Sequence, residues 1–156
     1  MKFKQYCLTI NLLLSLAVIG LLYVILVPGK PPQVVDKRQA IDLNPVERNY
    51  MLSEMRGFLT SVQGITAAIS RQQMETVADL ARASGTGPAK PAPASLNRKL
   101  PLEFKQIALS VQQDFDQMAL DAEHLDDPAN SLHQLADITA KCLACHASFR
   151  LQPEHS

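Results

Sequence analysis

Apolar residues enter this chain in two patterns, one continuous and one periodic. Tyr6 to Val27 reads YCLTINLLLSLAVIGLLYVILV, without a charge and with Asn11 and Ser15 as mild polar interruptions. Its 22 residues, at a helical rise of about 1.5 Å each, span roughly 33 Å, enough for a hydrocarbon core of about 30 Å. Pro28-Gly29-Lys30-Pro31-Pro32 follows, and Pro28 to Leu43 has no apolar period, which reads as a tether. Asn44-Pro45-Val46-Glu47 then predicts a helix start: Asn44 caps, Pro45 suits the first helical position, and Glu47 falls where a capping-box acid reaches back. From there Met51, Met55, Phe58, Val62, Ile65 and Ile69 recur at steps of four and three, one buried stripe on a long helix.

The stripe slips after Ile69. The next apolar positions are Met74, Val77, Ala78 and Ala81, so a break is expected at Ser70 to Gln73 and a shorter helix up to Gly85. Ser84 to Lys99 is rich in Pro, Ala, Gly and Ser and reads as a loop. A third amphipathic helix is predicted from about Leu100, with Phe104, Ile107 or Ala108, Val111, Phe115, Met118, Ala122 and Leu125 on its stripe. Asp127-Pro128 is a stop-and-restart signal, and Leu132, Leu135, Ile138 or Thr139, Cys142, His146 and Phe149 share a face of the fourth. No run alternates as a strand would. The pattern therefore predicts an all-α protein, an antiparallel four-helix bundle with an N-terminal transmembrane helix. Its segments are the membrane helix over 1–27, the tether over 28–43, the helical domain over 44–151 and a tail over 152–156.

Composition agrees with helices: Trp is absent, aromatics are few, and Ala, Leu, Gln and Met are plentiful. Fifteen Lys and Arg balance fifteen Asp and Glu, so charge gives no argument for nucleic acid. The balance is uneven along the chain, because Lys2 and Lys4 precede the apolar run and every acid follows it. Those two lysines predict a cytoplasmic N-terminus, with the remainder in a bacterial periplasm if the source is bacterial. A cleavable signal peptide is the rival reading. Its apolar region would be shorter, about 7–15 residues, and would end at a small-residue site. The longer run and the proline-rich sequence after it favour an uncleaved single-pass anchor in the cytoplasmic membrane.

Three cysteines are an odd number, and Cys7, read as an apolar filler, lies far from the others, so a disulfide framework is a poor reading. Cys142-Leu143-Ala144-Cys145-His146 carries the chemistry. Cys-x-x-Cys-His is a haem attachment pattern: two thiols each add to a vinyl group and the adjacent imidazole supplies an axial nitrogen. On a helix, positions three and four apart lie on one face, so Cys142, Cys145 and His146 meet the porphyrin together. A thiol–disulfide enzyme would set the two cysteines between strand and helix, and a zinc site would need a second Cys or His pair; neither context is present. The expected cofactor is one covalent haem c.

With those residues, the chain resembles the class II cytochromes c, the cytochrome c-prime family and its low-spin relatives. The resemblance spans roughly Asn44 to Leu151 and is sharpest at Cys142 to Arg150, where Phe149 and Arg150 follow the histidine at the family's spacing. Leu100 to Phe104 and Phe115 to Ala119 are similar but less diagnostic. The short second helix and the membrane segment depart from the family. The resemblance implies a four-helix bundle whose distal iron position is either open under an apolar side chain or filled by a Met of the first helix. Met55 falls closest to that position, with Met51 second and Leu52 also near. Both methionines could instead be ordinary core fillers. Phe149 is expected to pack on the porphyrin, with Arg150 or Arg48 pairing a propionate. His124 and His133 read as solvated, and His155 lies in the tail.

The leading expectation is a membrane-tethered electron carrier, not an enzyme, with no catalytic residue and a redox protein as partner. The alternative is a five-coordinate gas-binding protein for NO or CO; a haem-free anchored adaptor is the third class. The family's tendency to dimerise leaves a homodimer open, without a diagnostic patch. Seven acids and no Lys or Arg between Lys105 and Lys141 make either a docking face for a basic partner or an ordinary solvated surface.

Overall fold

The structure, a computed structural model, describes residues 2–26, 36–87 and 91–154, apart from the side chains at 2–4, 7 and 24. It is mostly helical, with six helices among the described residues, and it divides into two units, Met1–Asp36 and Lys37–Ser156.

The first unit holds helix α1, Lys2–Leu26, where the continuous apolar run predicted one. The polar side chains inside it bond back to their own helix. Thr9 Oγ1 donates to Tyr6 O at 2.9 Å and Ser15 Oγ to Asn11 O at 2.8 Å, so neither hydroxyl interrupts the apolar surface with an open donor. Its large apolar side chains, Leu12, Leu16, Ile19 and Leu22 among them, are exposed. Among the described residues no helix is long and apolar enough to cross a membrane. Cys7 as a side chain, the proline-rich stretch after α1 and His155 lie outside the described residues.

The second unit begins with a strand. β1, Gln39–Leu43, pairs in parallel with β2, Phe149–Pro153, in a register from Gln39↔Phe149 to Leu43↔Pro153. This corrects three expectations: a tether through residue 43, a tail from 152, and a chain without strands. Each strand has five residues, too few for an alternation to stand out. The alternation in β1 holds only over its second half, where Ile41 and Leu43 are buried and Asp42 between them faces solvent. What makes these residues a strand is a partner more than a hundred residues away.

Helix α2, Pro45–Ser70, starts as predicted. Glu47 N donates to Asn44 Oδ1 at 3.0 Å and Asn44 N to Glu47 Oε2 at 2.9 Å, a complete capping box. Glu47 does more than cap. Its carboxylate is fully buried and also accepts from Ser95 Oγ and from Lys99 Nζ at 2.9 Å, and Lys99 reaches Glu154 at 3.1 Å. That network joins the start of α2 to the chain's last described residue.

The break after α2 falls where expected. Gln72 takes a left-handed φ of 56°, and α3, Met74–Arg82, follows with Met74, Val77, Ala78 and Ala81 buried. The expected loop over 84–99 contains a single helical turn, α4, Leu96–Lys99, held by burial of Leu96. α5, Leu102–Leu125, ends at left-handed Asp126, and Asp127 caps α6, Pro128–Ser148, by accepting from the amides of Ala129 and Asn130. The four longer helices pack in a cycle: α2 against α3, α3 against α5, α5 against α6, and α6 against α2.

Two apolar clusters fill the unit. One is built from α2, α3, α5 and α6 around Ile65, Val77, Phe115, Met118 and Ile138, with Phe58 stacked on Phe115 at 6.0 Å. The other joins Ile41 and Leu43 of β1 to Met51, Leu96, Phe104 and Phe149. Three positions predicted on buried stripes are corrected, since Leu125, Leu132 and His146 are exposed. On α6 the small hydroxyl of Ser131 takes the buried place instead, because the inward rhythm runs 131, 135, 138 and 142.

Candidate functional site

The inward rhythm of α6 continues through its last turns. Cys142 packs against the first cluster and Cys145 against the second, so the two thiols straddle the junction between the halves of the core. Both are free and half-buried, while Leu143 between them is 73% exposed. Burial pushes the Cys142 thiol up from its ordinary value; burial, and then the neighbouring Cys142, do the same to Cys145. Thiols used in disulfide exchange are held down instead, so the surroundings favour neutral thiols.

A cavity of about 420 Å³ opens at this junction, within the range of about 300–1,000 Å³ found for ligand sites. From α6 it is lined by Thr139, Lys141, Cys142, Cys145 and His146. From α5 it takes Phe104, Ile107, Ala108 and Val111, and from α2 Leu52, Met55, Arg56, Phe58, Leu59 and Val62. The walls are mostly apolar, and among the described residues that line them Arg56 and Lys141 are cations. Leu59 lines the cavity yet is 68% exposed, an apolar side chain with nothing packed over it.

The sequence-predicted residues divide cleanly by position. Cys142, Cys145, His146 and Met55 share this one cavity, with Met55 on a different helix from the other three. Leu52 also lines it. Met51 does not; it is buried to 6% exposure in the second cluster, as a core residue. Phe149 stands behind the cavity, edge-on to Phe104 with ring centres 5.5 Å apart, and Phe104 forms the wall. Arg150 lies on β2 and donates to Gln152 Oε1 at 2.6 Å, and neither it nor exposed Arg48 lines the cavity. The cations at the cavity are Arg56 and Lys141. Arg56 has a sequence signal in hindsight, because 52, 56 and 59 repeat at steps of four and three beside the Met55 stripe.

Elsewhere, His124 Nδ1 lies 2.7 Å from Leu120 O on its own helix and His133 pairs with Asp137 at 3.3 Å, both exposed. Six of the seven acids between Lys105 and Lys141 have partners, Asp137 through His133. Asp114 pairs with Lys141, Glu123 with Arg82, Asp116 accepts from Thr86, Asp121 from Gln117 and Gln134, and Asp127 caps α6. Among the described residues no three His, Cys, Asp or Glu side chains gather as a set able to hold a bare metal ion. Compared with family models, with curated proteins and with solved structures, the chain matches none.

Proposed function

We propose that the chain is a membrane-tethered c-type cytochrome that carries single electrons on one covalent haem, in an antiparallel four-helix domain. One observation carries the reading: two free thiols and the histidine beside them line a single apolar cavity, with a methionine contributed to it by another helix. When bound, haem supplies an iron that accepts and returns one electron, and four of its ligands come from the porphyrin itself. The protein then needs only axial groups, which is why a cavity without a three-residue metal cluster is no obstacle. Cys142 and Cys145 would hold the ring by thioethers, one against each half of the core. His146 would give the proximal nitrogen and Met55 the distal sulfur. Leu52, Phe58, Leu59 and Val62 would exclude water from one face, and Arg56, together with Lys141 in exchange for its Asp114 partner, would be the cations available to propionates. The cyclic packing of α2, α3, α5 and α6 supports the bundle. The reading of an anchor rests on the uncharged run Tyr6–Val27, and the two lysines before it support a haem domain on the periplasmic side.

Denaturing electrophoresis followed by haem staining tests the attachment. The unaltered chain should stain, and Cys142→Ala combined with Cys145→Ala should not. Covalent haem in the double variant, or none in the unaltered chain exported with haem available, would overturn the reading.

A further inference from the structure

One contact reaches the candidate proximal ligand from far away in the chain. Arg38 Nη1 donates to the backbone oxygen of His146 at 3.2 Å, across 108 positions of sequence. That oxygen belongs to the last turn of α6, where carbonyls lack partners inside their helix and the helix end carries partial negative charge. Arg38 is the residue just before β1, and the first pair of the sheet is Gln39↔Phe149. The parallel register therefore brings the arginine back to the end of α6 every time the sheet forms. Further along, Gln152 bonds to Asp42, and Lys99 ties Glu154 to Glu47, so both strands are held beyond the register itself.

Resting on the haem reading, we infer that Arg38 is a positioning residue for His146 and sets the reduction potential of the centre. The hydrogen bond fixes the backbone that carries the imidazole. The guanidinium, charged at every accessible pH, adds a permanent positive charge beside the proximal ligand. Oxidised iron has one more positive charge than reduced iron, so a nearby cation disfavours the oxidised form and raises the potential. The side chain is exposed, and salt weakens its effect as the Debye length shortens from about 10 Å at 0.1 M to about 3 Å at 1 M.

The test is redox titration of the full chain in detergent, haem loaded, with Arg38→Gln and Arg38→Lys. Arg38→Gln keeps a donor for the His146 oxygen and loses the charge, so its midpoint potential should fall at low salt, and the gap to the unaltered protein should narrow at 1 M salt. Arg38→Lys keeps the charge and should stay near the unaltered value. Hydrogen exchange at Phe149 and Arg150 should quicken when Arg38→Ala removes the bond altogether, even in haem-free protein. Equal potentials in all three proteins at equal haem content would overturn the role of Arg38 alone. An unaltered protein that binds no haem would overturn the electron-carrier reading, and the potential-setting role with it.

Discussion

At the scale of single residues, the two methionines of the predicted stripe part company. Met51 and Met55 are one turn apart, yet Met51 is buried among Ile41, Leu43 and Phe104 while Met55 packs on the edge of that cluster and lines the cavity that His146 also lines. Their substitutions should therefore differ in kind. Met55→Ala is expected to change a low-spin spectrum to a high-spin one and to admit CO, at a smaller cost in stability than Met51→Ala. Met51→Ala should leave the spectrum alone and cost about 2–5 kcal/mol, the usual range for truncating a buried large apolar side chain. Optical spectra in both oxidation states and melting curves separate the outcomes. If the unaltered protein is already high-spin and binds CO or NO readily, the distal position is open and the gas-binding alternative replaces the carrier.

At the scale of elements, the acid that starts α2 also closes the domain. The Glu47 carboxyl is held down at about 2 from an ordinary 4.5, first by the Ser95 hydroxyl, then by Lys99, with the Asn44 amide helping and burial opposing. Its folded value lies below its unfolded one, so its stabilisation is complete above about pH 4.5 and disappears as pH falls towards about 2. Lys99 is shifted the other way, upward from 10.5, by its bonds to Glu47 and Glu154, so its contribution survives until pH rises beyond that value. Glu47→Gln should melt at lower temperature at pH 7, and should lose less further stability than the unaltered chain between pH 4.5 and 2. Parallel acid limbs in the two proteins would show that the network contributes nothing. The role of Glu47 as a capping acid was legible from Asn44-Pro45-Val46-Glu47. Its burial under Ser95 and Lys99 was not, because those residues lie in a stretch whose composition signals only loop.

At the scale of the whole molecule, the chain joins an apolar helix to a helical domain with its own core. If Tyr6–Val27 is an uncleaved anchor, the mature protein should keep its N-terminus, fractionate with membranes, and resist extraction by salt or alkaline carbonate while yielding to detergent. N-terminal sequencing and fractionation measure this directly. A soluble periplasmic form beginning after Val27 would mean a signal peptide and a freely diffusing protein. Because β1 begins at Gln39, removal of residues up to Asp36 should leave the fold of the second unit intact, whereas removal through Leu43 should expose Phe149 and Leu96.

The sequence by itself determined whatever depends on neighbours within a few residues. The caps at Asn44 and Asp127, the stripes of α2, α3 and α5, the slip after Ile69 and the one-sided spacing of Cys142, Cys145 and His146 all arise from helical period and local hydrogen bonding. Tertiary structure decided what depends on partners distant in sequence. It made strands of Gln39–Leu43 and Phe149–Pro153, turned Leu132 outward and Ser131 inward, brought Met55 rather than Met51 to the cavity wall, set Arg56 and Lys141 on that wall with Cys142, Cys145 and His146, and brought Arg38 to the His146 carbonyl. A helix writes its own hydrogen bonds into its sequence every four residues. A two-stranded parallel pair and a cavity between packed helices have half of their interactions in another part of the chain, so no local pattern can announce them.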